Sequence, residues 1–317
     1  MTSVRDDVNP FHPDDADDDA DAPGPGGQGR ESETAWLAER FEEHRGRLRA
    51  VAYRMLGSLD EADDAVQEAW VRFSEAGADE VVNLGGWLTT IVSRICLNTL
   101  RARASRPETL AGPRMPDPVL SPADGPTPEQ EALLADSVGL ALLVVLDTLT
   151  PAERVAFVLH DVFDFPFGEI APMLDRTPQA ARQLASRARH RVRVAGTRQP
   201  DGPVAAQQAV VDAFFAAARA GDLGALVELL DPDVVLRTDG FAATPAVLRG
   251  ADAVSSAAMG GANPRAEFQP VLVNGAAGML ITMRGRPAGL MAFTIVDGRI
   301  TAIDGITDPY RLRSLMN

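Results

Sequence analysis

From Thr34 onward, apolar residues fall at helical spacing. Leu37, Phe41, Leu48, Ala52 and Met55 lie three, four or seven positions apart, and the run stops at Gly57-Ser58, which predicts a first amphipathic helix. A second helix is expected from about Asp60 to Glu75, with Ala62, Val66, Ala69, Trp70 and Phe73 inward. That register leaves Asp60, Asp64, Gln67 and Glu68 on the opposite, acidic face. A third is expected from about Leu84 to Ala104. Its inward set is Leu88, Ile91, Ile95 and Thr99, while Trp87, Arg94, Asn98, Arg101 and Ser105 share a neighbouring stripe.

The period is then lost. Pro107, Pro113, Pro116, Pro118, Pro122, Pro126 and Pro128 crowd one segment too densely for a helix or a central strand, so a stiff linker is expected. Glu129 to Leu149 is a strongly apolar helical stretch. Thr150-Pro151-Ala152-Glu153 forms a capping box with proline at the first helical position and opens the next helix, to about Val162. Phe167 to Pro178 reads as a short helix, a tight turn and the start of another helix, with Thr177 as N-cap. Pro172 would remove a backbone hydrogen bond from the short helix unless that helix begins only near Glu169. In the longer one, Ala181, Leu184, Ala188 and Val192 are expected inward.

After the break Gln199-Pro200-Asp201-Gly202-Pro203 the pattern changes again. Helices are expected over Val204 to Arg219 and Leu223 to Leu230. Strands follow near Val234 to Arg237, Glu267 to Val273, Ala277 to Met283, Leu290 to Val296 and Arg299 to Ile306. Asp297-Gly298 makes a hairpin of the last two. The fold class expected is therefore multidomain, two all-α domains followed by an α+β domain. The expected boundaries are an acidic tail at 1–32, a helical domain at 33–106, a linker at 107–130, a second helical domain at 131–198 and the α+β domain at 204–317.

Charge sharpens this organisation. The chain of 317 residues carries a formal charge of -15, and all of its basic residues are arginine. Residues 1 to about 30, with Asp14-Asp15-Ala16-Asp17-Asp18-Asp19, are too polar to pack and should be disordered. Against this background Arg176, Arg182, Arg187, Arg189, Arg191, Arg193 and Arg198 fall in one stretch without an Asp or Glu. Such a cationic second helix after a tight turn is the pattern of a helix-turn-helix on nucleic acid. Gln179, Arg182, Ser186, Arg189 and Arg193 form one exposed row, and Gln183, Arg187 and His190 another. Near the helix start, beside the capping Thr177, Gln179, Arg182 and Gln183 would reach base edges. Arg187, Arg189 and Arg193 would neutralise phosphates. A solvated charged face is the competing account.

The Trp87, Arg94, Asn98, Arg101 stripe suits single-stranded or melting DNA, because a ring can stack on an unpaired base while cations hold the backbone. A tryptophan at this spacing is also a common core residue. The acidic face Asp60, Asp64, Gln67, Glu68 is either a solvated surface or a site for a basic protein partner. In the last domain Asp304 alternates onto the face of Ile300, Ala302 and Ile306. Arg237 could share a pocket with it, though such a pair is more often structural. The single Cys96 and four scattered histidines give no disulfide and no zinc spacing, so neither metal nor cofactor is expected. No apolar run approaches membrane-spanning length and the N-terminus is acidic. A cytoplasmic protein without membrane contact is expected.

Residues 35 to 195 resemble a bacterial sigma factor of the extracytoplasmic-function class. Asp60-Glu61-Ala62-Asp63-Asp64-Ala65-Val66-Gln67-Glu68-Ala69-Trp70 looks like the family's polymerase-binding segment. Gly86 to Asn98 looks like its promoter-melting, minus-10-reading helix, and Leu149 to Arg193 like its minus-35-reading domain. The resemblance implies a protein that binds core RNA polymerase, selects promoter DNA and helps open it, without catalysis of its own. It puts Asp60, Asp64, Gln67 and Glu68 toward polymerase, and Trp87, Arg94, Asn98 and Arg101 toward minus-10 DNA.

Residues 205 to 317 resemble the SnoaL-like cone fold, carried by Val211 to Asp222, Leu229 to Val234 and the final hairpin. Sigma factors with this extension form a subgroup in which it adjusts activity, which implies intramolecular contact. The subgroup's two signature stretches appear only in part, as Asp239-Gly240-Phe241-Ala242-Ala243 and Asp308-Pro309-Tyr310-Arg311-Leu312. Because cone folds also host isomerases, a small ligand or an enzyme fused to a DNA-binding module is one rival. A stand-alone helix-turn-helix regulator is the other, and it leaves the Trp87 stripe unexplained.

Overall fold

The structure is a computed structural model that describes residues 26–76, 83–105, 115–122, 139–195, 198–239 and 247–316. Three helices come first: α1 (Gly26–Leu56), α2 (Leu59–Ala76) and α3 (Leu84–Ser105). Helix α1 starts well before Thr34 and so takes up the end of the expected tail; residues 1–25 lie outside the described residues. Leu37, Phe41, Leu48, Ala52 and Met55 are all buried, as are Ala62, Val66, Ala69 and Phe73 of α2. On α3, Leu88 and Ile95 are buried as expected and Ile91 and Thr99 only half-buried, while the buried set extends to Thr89, Val92, Ser93, Cys96, Leu97 and Leu100. The reason is a second neighbour: α3 packs on α1 and α2 and also on the next helical unit.

That unit comprises α4 (Leu140–Asp147), α5 (Pro151–Phe157, continued by a π-helical turn Val158–Val162), α6 (Phe167–Met173) and α7 (Pro178–Val194). The start of the expected 129–149 helix lies outside the described residues. Thr150 and Glu153 close both halves of the capping box on α5. Helix α6 starts at Phe167 rather than Glu169 and holds Pro172 in its last turn, where few backbone bonds remain to be lost. In α7, Ala185 joins Ala181 and Ala188 in the core, whereas Leu184 and Val192 are half-buried. Small side chains at the centre let α7 lie close against α5 and α6.

Among the described residues the remainder is a seven-stranded sheet with three helices on one face and a short C-terminal helix on the other. Helices α8 (Val204–Ala220) and α9 (Leu223–Leu229) lead into β2 (Leu230–Thr238) and β3 (Val247–Arg249), then α10 (Ala251–Gly261). Strands β4 (Ala266–Val273), β5 (Ala276–Met283), β6 (Arg286–Val296) and β7 (Arg299–Ile306) follow, and α11 (Pro309–Ser314) ends the described chain. With β1 (Leu120–Pro122), which precedes the helices of this domain in the chain, the order is β1-β4-β5-β6-β7-β2-β3, antiparallel except for the β2–β7 pair. Three two-residue turns, Asn274-Gly275, Arg284-Gly285 and Asp297-Gly298, connect β4 to β7, and every one of these residues has positive φ. Both central residues must be left-handed for such turns to match strand twist. Sequence alone marked only Asp297-Gly298.

The first strand of that order, β1 (Leu120–Pro122), belongs to the proline-rich segment expected to be a plain linker. It pairs with β4 and forms the edge of the sheet, where a missing proline N–H is tolerated. The linker is thereby fastened to the last domain. Asn274 secures it further: its N–H donates to the Val119 carbonyl at 2.9 Å and its Oδ1 accepts from the Val119 N–H at 2.9 Å. The Asn274 amide also donates to the Tyr53 hydroxyl at 3.2 Å, and that hydroxyl donates to the Asp117 carbonyl at 2.5 Å. Burial, the largest influence, pushes the Tyr53 phenol above its ordinary pKa, so it stays a donor. Arg311 of α11 completes the junction, reaching Asp117 at 2.8 Å and the Met115 carbonyl.

One hydrophobic cluster runs through all these parts. Val273, Leu280, Leu290, Ala292, Ile306 and Leu312 share a core with Met115, Val119, Leu140 and Leu143, and through them with α1, α3 and α5. The other sheet face closes a separate core with α8, α9 and α10. At the centre of the larger cluster sits Arg154, 2% exposed. Its Nη1 pairs with Asp147 at 2.9 Å and its Nε donates to the Arg54 carbonyl at 3.4 Å.

Removing Asp147 strands a charge that water cannot reach, whereas replacing Arg154 by an apolar side chain leaves only the Asp147 carboxylate, which is 33% exposed and can be hydrated. Asp147→Ala should therefore lower unfolding free energy by about 3–5 kcal/mol, and Arg154→Met by clearly less, in denaturant titrations. Equal losses would contradict this account. Burial also pushes the Cys96 thiol up to about 12. Thiol labelling at mildly alkaline pH should thus track global unfolding, and fast labelling of native protein would show the site to be open.

Candidate nucleic-acid interface

Two helices present the residues that the sequence singled out. At the start of α7 the Thr177 hydroxyl accepts from the Ala180 N–H at 3.2 Å, and the turn before it is made by Asp175 at positive φ. Those two features fix where α7 begins and which way its first turn faces. Thr177, Gln179, Arg182, Gln183, Ser186, Arg187, His190 and Arg193 are all exposed, on the side away from Ala181, Ala185 and Ala188.

The arginines are not equivalent. Arg189 is half-buried and its Nε pairs with Asp161 of α5 at 2.9 Å. Burial raises the Asp161 carboxyl above its usual value, and the Arg189 guanidinium opposes that rise. Arg191 is held by the buried Glu153 at 3.0 Å. These two therefore join α7 to α5 across the core side. Arg182 lies over the Phe167 ring, 5.4 Å from its centroid, and His160 stacks on that ring at 3.9 Å between centroids. His160 in turn is anchored at Nδ1 to the Phe165 carbonyl at 3.0 Å. Phe167 and His160 thus hold Arg182 in place, a role the sequence did not signal, because the three residues meet only once α5, α6 and α7 have packed.

Arg94, Asn98 and Arg101 of α3 are exposed in one row. Trp87 is half-buried, edge-on to Phe73 with centroids 5.8 Å apart, so part of the ring belongs to the core and part reaches the surface. Arg94 donates from Nη2 to the Pro172 carbonyl of α6 at 3.3 Å, linking the two helical units at this stripe. On α2, Asp60, Asp64, Gln67 and Glu68 are exposed with Val71 beside them, and Glu68 pairs with Arg72.

The expected pocket around Arg237 and Asp304 is not formed. Those two residues pair at 2.8 Å, but on the sheet face turned away from α8 and α10. A bulge explains the miss. On β7, Ile300 opposes Ile295 and Ala302 opposes Thr294, so Thr301 is an extra residue and the alternation counted from Ile300 reverses before Asp304. Asp304 is 1% exposed, and burial raises its carboxyl above the ordinary value against the opposing pull of Arg237. Arg237 opens instead on a groove of about 510 Å³ between β2, β3 and the C-terminal end of α7. Among the described residues no cluster of His, Cys, Asp and Glu is arranged for a metal, and no helix is long and apolar enough to cross a membrane.

A family model described as Sigma-70 region 2 matches residues 40–106, and one described as Sigma-70, region 4 matches residues 139–192. The chain is 38% identical over 289 residues to a Mycobacterium tuberculosis protein named ECF RNA polymerase sigma factor SigJ, covering 85% of this chain and 91% of that one. It is 35% identical over 288 residues to a protein of the same organism named probable ECF RNA polymerase sigma factor SigI, covering 89% and 94%. The crystal structure of the Mycobacterium tuberculosis extracytoplasmic function sigma factor SigJ superposes with a TM-score of 0.69 at 36% identity. That match spans 87% of this chain and 98% of the other, sheet domain included.

Arg182 stands near the start of α7 and Arg193 near its end, both exposed, so the two roles expected for them can be tested separately. Arg182→Ala should relax preference at one base position at a cost of about 1–3 kcal/mol. Arg193→Ala should weaken binding to every sequence alike and reduce the salt slope by about 1. Competition binding with point-mutated duplexes checks both, and identical profiles for the two variants would contradict the assignment.

Proposed function

Because the chain belongs to the extracytoplasmic-function family of RNA polymerase sigma factors, we propose how its parts divide the work of promoter-specific initiation. The protein binds core RNA polymerase and directs it to promoters. Helix α7 reads the minus-35 duplex, with Gln179, Arg182 and Gln183 at base edges, Thr177 and Ser186 beside them, and Arg187 and Arg193 on the backbone. The α3 stripe of Trp87, Arg94, Asn98 and Arg101 engages the minus-10 strand as it melts. The α2 face of Asp60, Asp64, Gln67 and Glu68 docks on polymerase, where exposed Val71 adds an apolar contact. No chemistry is performed by the protein itself, and it acts in the cytoplasm where its template lies.

The observation that carries this reading is the pair of exposed helical surfaces, on α3 and α7, within a chain similar to sigma factors along most of its length. By their names the two promoter elements lie roughly 25 base pairs apart, on the order of 80 Å at 3.4 Å per pair. Here α3 packs directly on α5 and α6. Engagement of both elements thus requires the helical units to separate. The last domain opposes that separation, because it grips the connecting segment through β1, Asn274 and Arg311. Of the first partial signature stretch only Asp239 is among the described residues; its carboxylate accepts from the N–H of Thr307 at 2.8 Å and of Asp308 at 2.7 Å, which ties it to the second stretch and sets α11 in place.

Run-off transcription with purified core enzyme should yield promoter-specific transcripts only when this chain is added. Absence of any such transcript on genomic templates would sink the reading. Arg311→Ala, which loosens the connecting segment without removing a domain, should raise output several-fold. Unchanged output with unchanged folding would overturn the restraining role of the last domain.

A further inference from the structure

The sheet face opposite the domain junction encloses a space that the promoter reading does not use. Helices α8 and α10 and strands β4 to β7 surround a cavity of about 220 Å³. A cavity of about 150 Å³ lined by Leu, Ile and Phe stays dry and admits benzene. The walls are apolar: Phe214, Phe215, Phe268, Ile281 and Met291 line them, and Ala258 leaves room on the α10 side. At the mouth Arg219 lies flat over Phe268, its Cζ 5.2 Å from the ring centroid, and no carboxylate pairs with it among the described residues. An apolar chamber closed by an exposed, unneutralised guanidinium matches one kind of molecule.

We propose that this cavity binds a small aromatic or short aliphatic carboxylic acid, with the apolar body among the phenylalanines and the carboxylate on Arg219. A neutral apolar compound would fill the same space but forgo the charge-assisted hydrogen bond. Burial of the body supplies the affinity and Arg219 the selectivity. The site is also wired to the domain junction. Thr238 and Thr307 line the cavity, and the Thr307 hydroxyl donates to Asp239 at 2.5 Å. Asp308, held by the same carboxylate, caps α11 by accepting from the Tyr310 N–H at 2.8 Å, and α11 carries Arg311 to Asp117 of the connecting segment. A molecule that displaces Thr307 therefore moves the group that fastens that segment.

Titration calorimetry on the full chain tests the site without reference to transcription, so its outcome is independent of the promoter assignment. The probes are 2-naphthoate and the uncharged 2-naphthylmethanol. Naphthoate should bind about tenfold more tightly, the ratio expected for one hydrogen bond to a charged group. Arg219→Gln should erase that preference, and Ala258→Phe should abolish binding of both probes while the thermal midpoint stays in place. Should Ala258→Phe fail to fold, Ile281→Trp narrows the same space from the opposite wall. Equal affinity for the two probes, or a preference that survives Arg219→Gln, overturns the carboxylate assignment. Failure of both probes to bind at millimolar concentration, or binding indifferent to the blocked cavity, overturns the site. Hydrogen exchange should change in residues 115–122 and 309–314 on adding naphthoate; a response confined to the cavity walls overturns the coupling.

Discussion

A guanidinium with almost no access to water fixes the arrangement of the helical half. Arg154 needs acceptors at defined positions, and each comes from a different element: the Asp147 carboxylate at the end of α4 and the Arg54 carbonyl on α1. Burial lowers its pKa while Asp147 pulls the other way, the signature of a charge held where water is scarce. Arg54 is buried as well, its guanidinium 5.0 Å from the Phe163 ring centroid and its Nη1 on the Ala50 carbonyl at 3.1 Å. Apolar faces alone can slide against each other at little cost. The desolvated Arg154 cannot, because its displaced donors would lose acceptors on two other elements that nothing in the core replaces, and the Arg54 guanidinium would lose its place against the Phe163 ring. The helical units consequently meet in one register, and α3 gains a second buried side.

The last domain is attached by a different principle. Its sheet would end in an exposed edge at β4, and the connecting segment covers that edge as β1. The same eight residues, 115–122, are held from three directions, by Tyr53 on α1, Asn274 in the β4–β5 turn and Arg311 on α11. Each contact is a hydrogen bond or ion pair of ordinary strength, and all three must be made together for any to keep its geometry. Such a junction opens as a unit, which suits a segment that must be either fastened or free.

Local signals in the sequence survived folding and non-local ones did not. The period of Leu37 to Met55, the Thr150–Glu153 capping box and the Thr177-Pro178 helix start depend on residues within a few positions of each other, and each describes the structure. The exposed faces of α2, α3 and α7 were legible for the same reason. Trp87 answers to both of its readings, half in the core against Phe73 and half at the surface. The pairing of Arg237 with Asp304 was legible but its face was not, because one extra residue at Thr301 reverses every later side chain. Strand β1 could not be read at all: nothing in Leu120-Ser121-Pro122 is strand-like until β4 supplies a partner. Nor does a row of arginines reveal which of them face carboxylates from another helix.

That last point bears on how the protein meets DNA. Of the cations on α7, Arg189 and the still exposed Arg191 are neutralised by Asp161 and Glu153, which leaves Arg182, Arg187 and Arg193 as its exposed arginines without a carboxylate partner among the described residues. Counterion release from B-DNA contributes a salt slope of about -0.9 per neutralised phosphate, so a handful of contacts gives a shallow electrostatic term. The whole chain, at -15, opposes even that. On the proposed division of work, duplex binding by this protein alone is then weak, and the contact with polymerase supplies the missing affinity. The acidic α2 face, with Asp60, Asp64 and Glu68 exposed away from the core, is the side proposed for that contact. Acidic charge overall and a sparse basic helix then serve one end: occupancy of promoters only in the company of the enzyme.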